Sequence, residues 1–259
     1  MLKQTLCIVE SHDRIYYKEG KFNLYPKIAE DAICYFSKNH IAWWALEQGK
    51  DKPTGHVLSS QISCINHLFP IRKDKEAVIR LLKTIDNDFV DAVPIECDTA
   101  ETQGYIAFEV VCDSNYLNEI HLTRGANCTS IDALIIGKKT DGKNILVPIE
   151  WKYTESYALG VSADKSLGKK GKTRCDRYGP LILKGKYLKS TTTEVYHFEP
   201  FYQLMRQTLW AEQMACHTYA DSTGFIHIHV IPEGNAELLK SDNRKNNRPL
   251  RKLKMFTYI

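Results

Sequence analysis

The sequence lacks any run of about 18 consecutive apolar residues, the length a membrane-crossing helix needs. It also lacks paired cysteines. Cys7, Cys34, Cys64, Cys97, Cys112, Cys128, Cys175 and Cys216 are scattered without a Cys-x-x-Cys, which excludes zinc ribbons and thioredoxin-like sites. Internal repeats and low-complexity tracts are missing too, so a solenoid or a polar disordered array is ruled out. The opening segment, MLKQTLCIVESHDR, meets charge too early to be a signal peptide. These absences together point to a cytoplasmic protein with reduced cysteines that pack as small hydrophobes.

What is present suits one globular domain over residues 1–259. With 43% hydrophobic and 25% charged residues, a chain of this length buries a core without disulfides or structural metal. The net charge of +4 is unevenly spread. Between Lys165 and Lys189 nine Lys/Arg stand against one acid, Asp176, and between Lys240 and Lys254 seven stand against one, Asp242. The remainder is acidic. Two basic stretches on an acidic chain suggest a polyanionic partner, of which nucleic acid is the usual one. Lys169, Lys170, Lys172 and Arg174 are the candidate phosphate contacts, carried on a basic arm over 165–189.

Apolar spacing predicts a helix over 26–48, with Pro26 in its first turn, and a second through VLSSQISCINHLF ending at Pro70. A third, DKEAVIRLLKTIDNDF, has Asp74 as its N-cap, and the first hundred residues read as mainly helical. The pattern then changes to β-branched and aromatic runs: YIAFEVVC (105–112), TSIDALIIG (129–137) and NILVPIEWKYT (144–154). The linker KKTDGK carries an Asp-Gly pair, which marks the last two runs as a hairpin. EPFYQLMRQTLWAEQMA (199–215) reads as a helix and FIHIHVIP (225–232) as a final strand. A three-strand meander with a helical crossover gives a mixed α/β sheet flanked by helices.

Charges interrupt these apolar strands, among them Asp132 in the second, and Glu150 and Lys152 in the third. Residues two apart on a strand share a face, so Glu150 and Lys152 project together and Trp151 opposes them. Pairing about the Asp-Gly turn places Asp132 opposite Glu150. Buried charge in such strands is costly unless paired or bound to metal. Two carboxylates with room for water suit Mg²⁺, with Mn²⁺ as a substitute. A metal and a neighbouring lysine then suit attack of water on a phosphodiester.

Asp132 followed by Glu150-x-Lys152 on the next strand of a hairpin resembles the PD-(D/E)XK nuclease superfamily. The helix–strand–strand–strand–helix–strand order over 74–232 is similar to its core. Residues 1–73 would then be a mainly helical elaboration and 233–259 a basic C-terminal segment. SSQISCINHLFP, RGANCTSIDALI, IEWKYTE and EPFYQLMRQ look like a restriction-endonuclease-like prokaryotic branch. Ile131 stands where the superfamily name has proline, a departure many members share. The resemblance implies that Asp132 and Glu150 are metal ligands and Lys152 the catalytic lysine. It implies a Mg²⁺-dependent endonuclease acting on double-stranded DNA in restriction or genome defence, for which a homodimer suits cutting both strands.

The resemblance also implies a polar residue facing the site from the following helix, for which Gln203 is the match, and an acid from the first core helix. Glu76 matches that acid by position, while Glu30, Glu109 and Glu119 compete. Ser60, Gln61 and Asn66 form a polar group in an apolar helix, able either to face substrate or to cap the helix. Arg124 and Glu155 read as structural, and His227 and His229 as surface residues of a strand. A catalytically silent nucleic-acid-binding protein and a plain interaction protein are the competing readings.

Overall fold

The computed structural model describes residues 8–11, 14–44, 49, 51–97, 102–119, 128–154, 164–189 and 193–233. Strands β1 (Ile8–Ser11) and β2 (Arg14–Tyr17) pair antiparallel at the start. Three helices follow: α1 (Ala29–Lys38), α2 (Ser60–Leu68) and α3 (Lys75–Ile85). The Ser59 hydroxyl accepts from the Ile62 N–H and the Asp74 carboxylate from the Ala77 N–H, capping α2 and α3.

The six-stranded sheet is mixed. Its centre is the antiparallel pair β7 (Ile131–Lys139) and β8 (Asn144–Trp151). The far edge of β7 is occupied in turn by β3 (Phe89–Val93) and β6 (Ile106–Val110), both antiparallel to it. A two-residue ribbon, β4 (Glu96–Cys97) against β5 (Gln103–Gly104), loops out between them. After β8 come α4 (Gly168–Lys184) and α5 (Phe201–Cys216). The crossover returns as β9 (Ser222–Phe225) and β10 (Ile228–Val230), both parallel to β8. This is the restriction-endonuclease-like α/β architecture expected from the element order.

Each face of the sheet has its own core. On one, α1, α2 and α3 bring Phe36, Ile65 and Leu82 against Phe108, Ile135 and Ile149. On the other, α4 and α5 bring Tyr178, Leu209 and Trp210 against Leu134 and Leu146. Fully burying one such side chain is worth roughly 1.5–3 kcal/mol, so the strands are clamped from both sides. Among the described residues no helix is long and apolar enough to cross a membrane, and six cysteines are free.

The observed elements amend the sequence reading in five places. The helix read over 26–48 stops at Lys38. His40 takes a left-handed φ of 53° and the Ile41 N–H reaches back to the Phe36 carbonyl, a Schellman-type ending. Ile41 and Trp43 lie beyond the helix end yet are buried in the same core. Strand β3 was hidden in the tail of the α3 pattern, and the β1–β2 hairpin was read as helical territory. The final strand read over 225–232 is shorter, β10 at Ile228–Val230, and a separate strand β9 precedes it at Ser222–Phe225. The basic stretch 165–189 is mostly helix rather than an arm: Gly171, Tyr178 and Ile182 are buried along one side of α4, and that packing overrides its glycines and Pro180. The second basic stretch, 240–254, lies outside the described residues, as do Arg124 and Glu155.

Candidate active site

The register of β7 against β8 decides which charges meet. Gly142 takes the φ of 83° that the turn requires, and its N–H bonds the Lys139 carbonyl. From that turn the pairs run Lys138–Asn144 through Ala133–Ile149, so the next position sets Asp132 opposite Glu150. On the other side of β7, the pairs Phe108–Ala133 and Val110–Ile131 set Glu109 opposite Asp132. Beyond β8, His229 pairs with Glu150. Three neighbouring strands thus carry Glu109, Asp132 and Glu150 in one row at the end of the sheet.

That row lies in a cleft of about 300 Å³ between α2 and α5. From α2, Ser60 and Gln61 line it, and from α5, Gln203, Arg206 and Gln207 do, at the spacing of one helix face. The exposed indole of Trp44 stands at its rim. Asp132 Oδ2 accepts the Trp151 backbone N–H at 2.7 Å. Glu150 accepts from Gln207 Nε2 on one oxygen and lies 2.5 Å from Lys152 Nζ on the other. Lys152 Nζ also donates to Gln203 Oε1 at 2.7 Å. Its backbone N–H bonds the Val230 carbonyl, extending the sheet to this residue.

Glu109 reaches the row by an unusual route. Its φ of 50° is left-handed, a conformation that costs a side-chain-bearing residue on the order of 1–2 kcal/mol. The turned carboxylate accepts from Gln61 Nε2 at 2.8 Å, Ser130 Oγ at 2.8 Å and Trp44 Nε1 at 3.3 Å. Gln61 in turn accepts the Trp44 backbone N–H at 3.0 Å. Strain of this kind is characteristic of functional sites, where surrounding contacts over-determine it.

Burial dominates the electrostatics. It pushes the Asp132 carboxyl well above the ordinary carboxylate range, and the charges of Glu150 and Glu109 push it further. Lys152 and the Trp151 N–H act the other way. Burial likewise raises Glu109, with Gln61, Ser130 and Trp44 opposing and Glu150 adding to the rise. The Cys64 thiol, buried behind the row, is raised by burial and by the same three acids. The row therefore favours an added positive charge.

The chemistry of the donors fits a hard divalent cation. Among the described residues the second oxygen of Asp132 takes no hydrogen bond, and Glu150 Oε1 is shut from solvent with only the Lys152 ammonium beside it. No group of three or more His, Cys, Asp or Glu side chains is gathered as a complete cage among those residues. An ion held by Asp132 and Glu150 would need water and substrate oxygens to complete its shell, as Mg²⁺ commonly does.

Asp132, Glu150, Lys152, Gln203, Ser60 and Gln61 are therefore brought together. Asn66 is not: it accepts from the Tyr25 N–H and donates to the Asn23 carbonyl, tying down a loop. Of the competing acids, Glu76 and Glu30 are exposed on α3 and α1, away from the cleft, and Glu109 joins the row from a strand. Glu119 is buried beside the cleft rather than in it, accepting from Thr129 and Tyr178 and facing Arg206. Lys169, Lys170 and Lys172 are exposed on α4, outside the cleft, and Lys172 pairs with Asp176 at 2.9 Å. Arg174 turns inward, donating to the Lys165 carbonyl over the ring of Tyr202. His227 and His229 are half-buried beside β8, not surface residues. Sequence reasoning missed Arg206 and Gln207, whose i+3 and i+4 spacing from Gln203 was the available signal.

No curated protein and no solved structure matches the chain. A family model described as "Restriction Endonuclease associating with ARP" matches residues 8–257, nearly the whole length, and so spans every strand and helix that shapes the cleft. The chain belongs to this restriction endonuclease family.

Proposed function

We propose that the protein is a Mg²⁺-dependent endonuclease of the PD-(D/E)XK type that hydrolyses phosphodiester bonds in double-stranded DNA. The observation that carries the reading is the meeting of Asp132, Glu150 and Lys152 at the base of one cleft. Asp132 and Glu150 hold the metal, for which Mn²⁺ substitutes. When bound, the ion supplies Lewis-acid polarisation of a phosphoryl oxygen and acidifies water. Lys152, steered by Gln203, orients the attacking water and stabilises negative charge on the phosphoryl group. Gln207 holds Glu150 in the orientation its role needs. Water adds to phosphorus, the bond to the leaving ester oxygen breaks, and that oxygen takes up a proton.

The lysines on the outer face of α4 extend the positive surface for the backbone of a duplex. Cutting both strands of a symmetric site would use two copies of the chain, and we place the reaction in the cytoplasm. The family description couples its members to ARP, and we assign this chain the same association. The test incubates the purified protein with plasmid, linear and single-stranded DNA, with and without Mg²⁺ or Mn²⁺. Metal-dependent cutting of circular plasmid is expected. Salt-sensitive binding without cutting under any metal would instead mark a silent DNA-binding protein.

A further inference from the structure

The cleft has a second cation whose surroundings set it up for a ligand. Arg206 lines the cleft from α5, one turn from Lys152's partner Gln203. Lys152 is already committed to Glu150 at 2.5 Å and to Gln203. An anionic phosphodiester entering beside three carboxylates meets repulsion that Lys152, so engaged, does not offset alone.

Arg206 is held from behind. Its Nε donates to Thr129 Oγ1 at 3.1 Å, and its Nη2 lies 3.5 Å from Glu119 Oε1. Glu119 is itself fixed by the Thr129 N–H at 2.7 Å, the Thr129 hydroxyl at 2.7 Å and the Tyr178 hydroxyl at 2.6 Å. The guanidinium carbon sits 5.5 Å from the ring centre of Tyr202 and 5.9 Å from that of Tyr178. A guanidinium has five N–H donors in a planar fork matched to phosphate oxygens. The contacts to Thr129 and Glu119 use its Nε and one terminal nitrogen, and with a further hydrogen bond to Tyr178 the five-donor fork still keeps N–H groups for a ligand. A purely structural ion pair would be served by a short contact wholly inside the core, yet the Arg206 side chain is 21% exposed while Glu119 is 1% exposed.

We propose that Arg206 grips the non-bridging oxygens of the phosphodiester in this cleft, and that Glu119 and Thr129 are positioning residues that aim its fork. The assignment deepens the nuclease reading and rests on it for the catalytic role. As charge builds on the equatorial oxygens during displacement, a preoriented fork stabilises that charge without reorganising.

The test uses the full chain with two readouts: anisotropy binding of a fluorescein-labelled DNA duplex in EDTA across a salt series, and single-turnover cleavage of the same duplex in Mn²⁺. Arg206→Gln should lower the slope of log affinity against log salt by about one and the cleavage rate by about a hundredfold. Arg206→Lys keeps the charge and loses the fork, so the slope should persist while the rate still falls. Glu119→Gln should lower the single-turnover rate with the slope unchanged, whereas a lower melting temperature alone would overturn its positioning role. Because Arg206→Gln strands Glu119 as a buried charge, the double variant Glu119→Gln/Arg206→Gln is measured beside it as a folded control. If either folded variant lacking Arg206 matches wild type in both slope and rate, the proposal is overturned. If wild type binds yet cuts with neither Mg²⁺ nor Mn²⁺, the nuclease reading fails, and the salt slope alone decides the phosphate contact.

Discussion

Asp132 accepts the backbone N–H of Trp151 at 2.7 Å across the central hairpin, so the register of the sheet is tied to the acid row itself. A one-residue slip would turn Glu150 to the opposite face and break this bond at once. Asp132→Asn preserves an acceptor for that N–H and removes one of three carboxylates that repel each other. The variant should melt at or above the wild-type temperature in EDTA and lose metal-dependent cleavage by at least about a hundredfold. Calorimetric titration with Mn²⁺ completes the comparison. Equal metal affinity in both proteins would remove Asp132 from the ligand set.

Lys152 presents the opposite balance. Its ammonium is the one cation touching Glu150 among the described residues, and both side chains are buried. Removing one partner of a buried ion pair costs about 3 kcal/mol, because the other charge is left uncompensated. The contact to Glu150 puts that cost on the metal-free protein. Lys152→Met should abolish cleavage and lower the melting temperature in EDTA. Adding Glu150→Gln should recover part of the loss. A folded Lys152→Met protein that cuts at the wild-type rate would falsify the catalytic assignment.

The same contacts explain why some of the site was legible in the chain and some was not. The hairpin register is a local property: an Asp-Gly turn and the alternation of β7 and β8 leave few alternatives, so Asp132 and Glu150 could be set opposite each other from sequence. Glu109 could not be chosen from its rivals, because its aim depends on a left-handed φ that no side-chain pattern encodes. Arg206 and Gln207 were hidden for a different reason. Which face of α5 meets the cleft depends on how Leu209 and Trp210 seat in the core, a long-range packing outcome. Helix α4 was read as an arm because its charge dominates the pattern and three glycines and a proline argue against a helix locally, so tertiary burial has to stabilise it.

Helix α4 supplies a third prediction. Lys169 and Lys170 are exposed in its first turn, free to meet phosphates. Replacing both with Gln should lower the salt slope of DNA binding by about two, to a similar degree for all sequences. Lys172→Gln should lower it by less than about one, since Lys172 already answers Asp176. An unchanged slope in the Lys169→Gln/Lys170→Gln protein would show that duplex DNA does not lie along this face.

The last prediction concerns acid stability and His227. Thr208 donates its hydroxyl proton to the Leu204 carbonyl at 2.9 Å, so it can only accept from His227 Nδ1, 3.2 Å away. The proton of the neutral ring is therefore on Nδ1, and Nε2 is left as a bare acceptor shut from solvent. Protonating Nε2 would bury a new donor and a charge together. Burial accordingly lowers the His227 pKa to about 4, against an opposing pull from Glu150. A base depressed in the folded state contributes stability that is complete above its ordinary value near 6.5 and lost as pH falls toward 4. His227→Gln cannot titrate in that window. Its stability difference from wild type should shift by on the order of 2 kcal/mol between pH 7 and pH 4, with wild type losing more. Urea unfolding of both proteins across that range provides the check. Parallel stability curves would mean that His227 is not held neutral by its burial against α5.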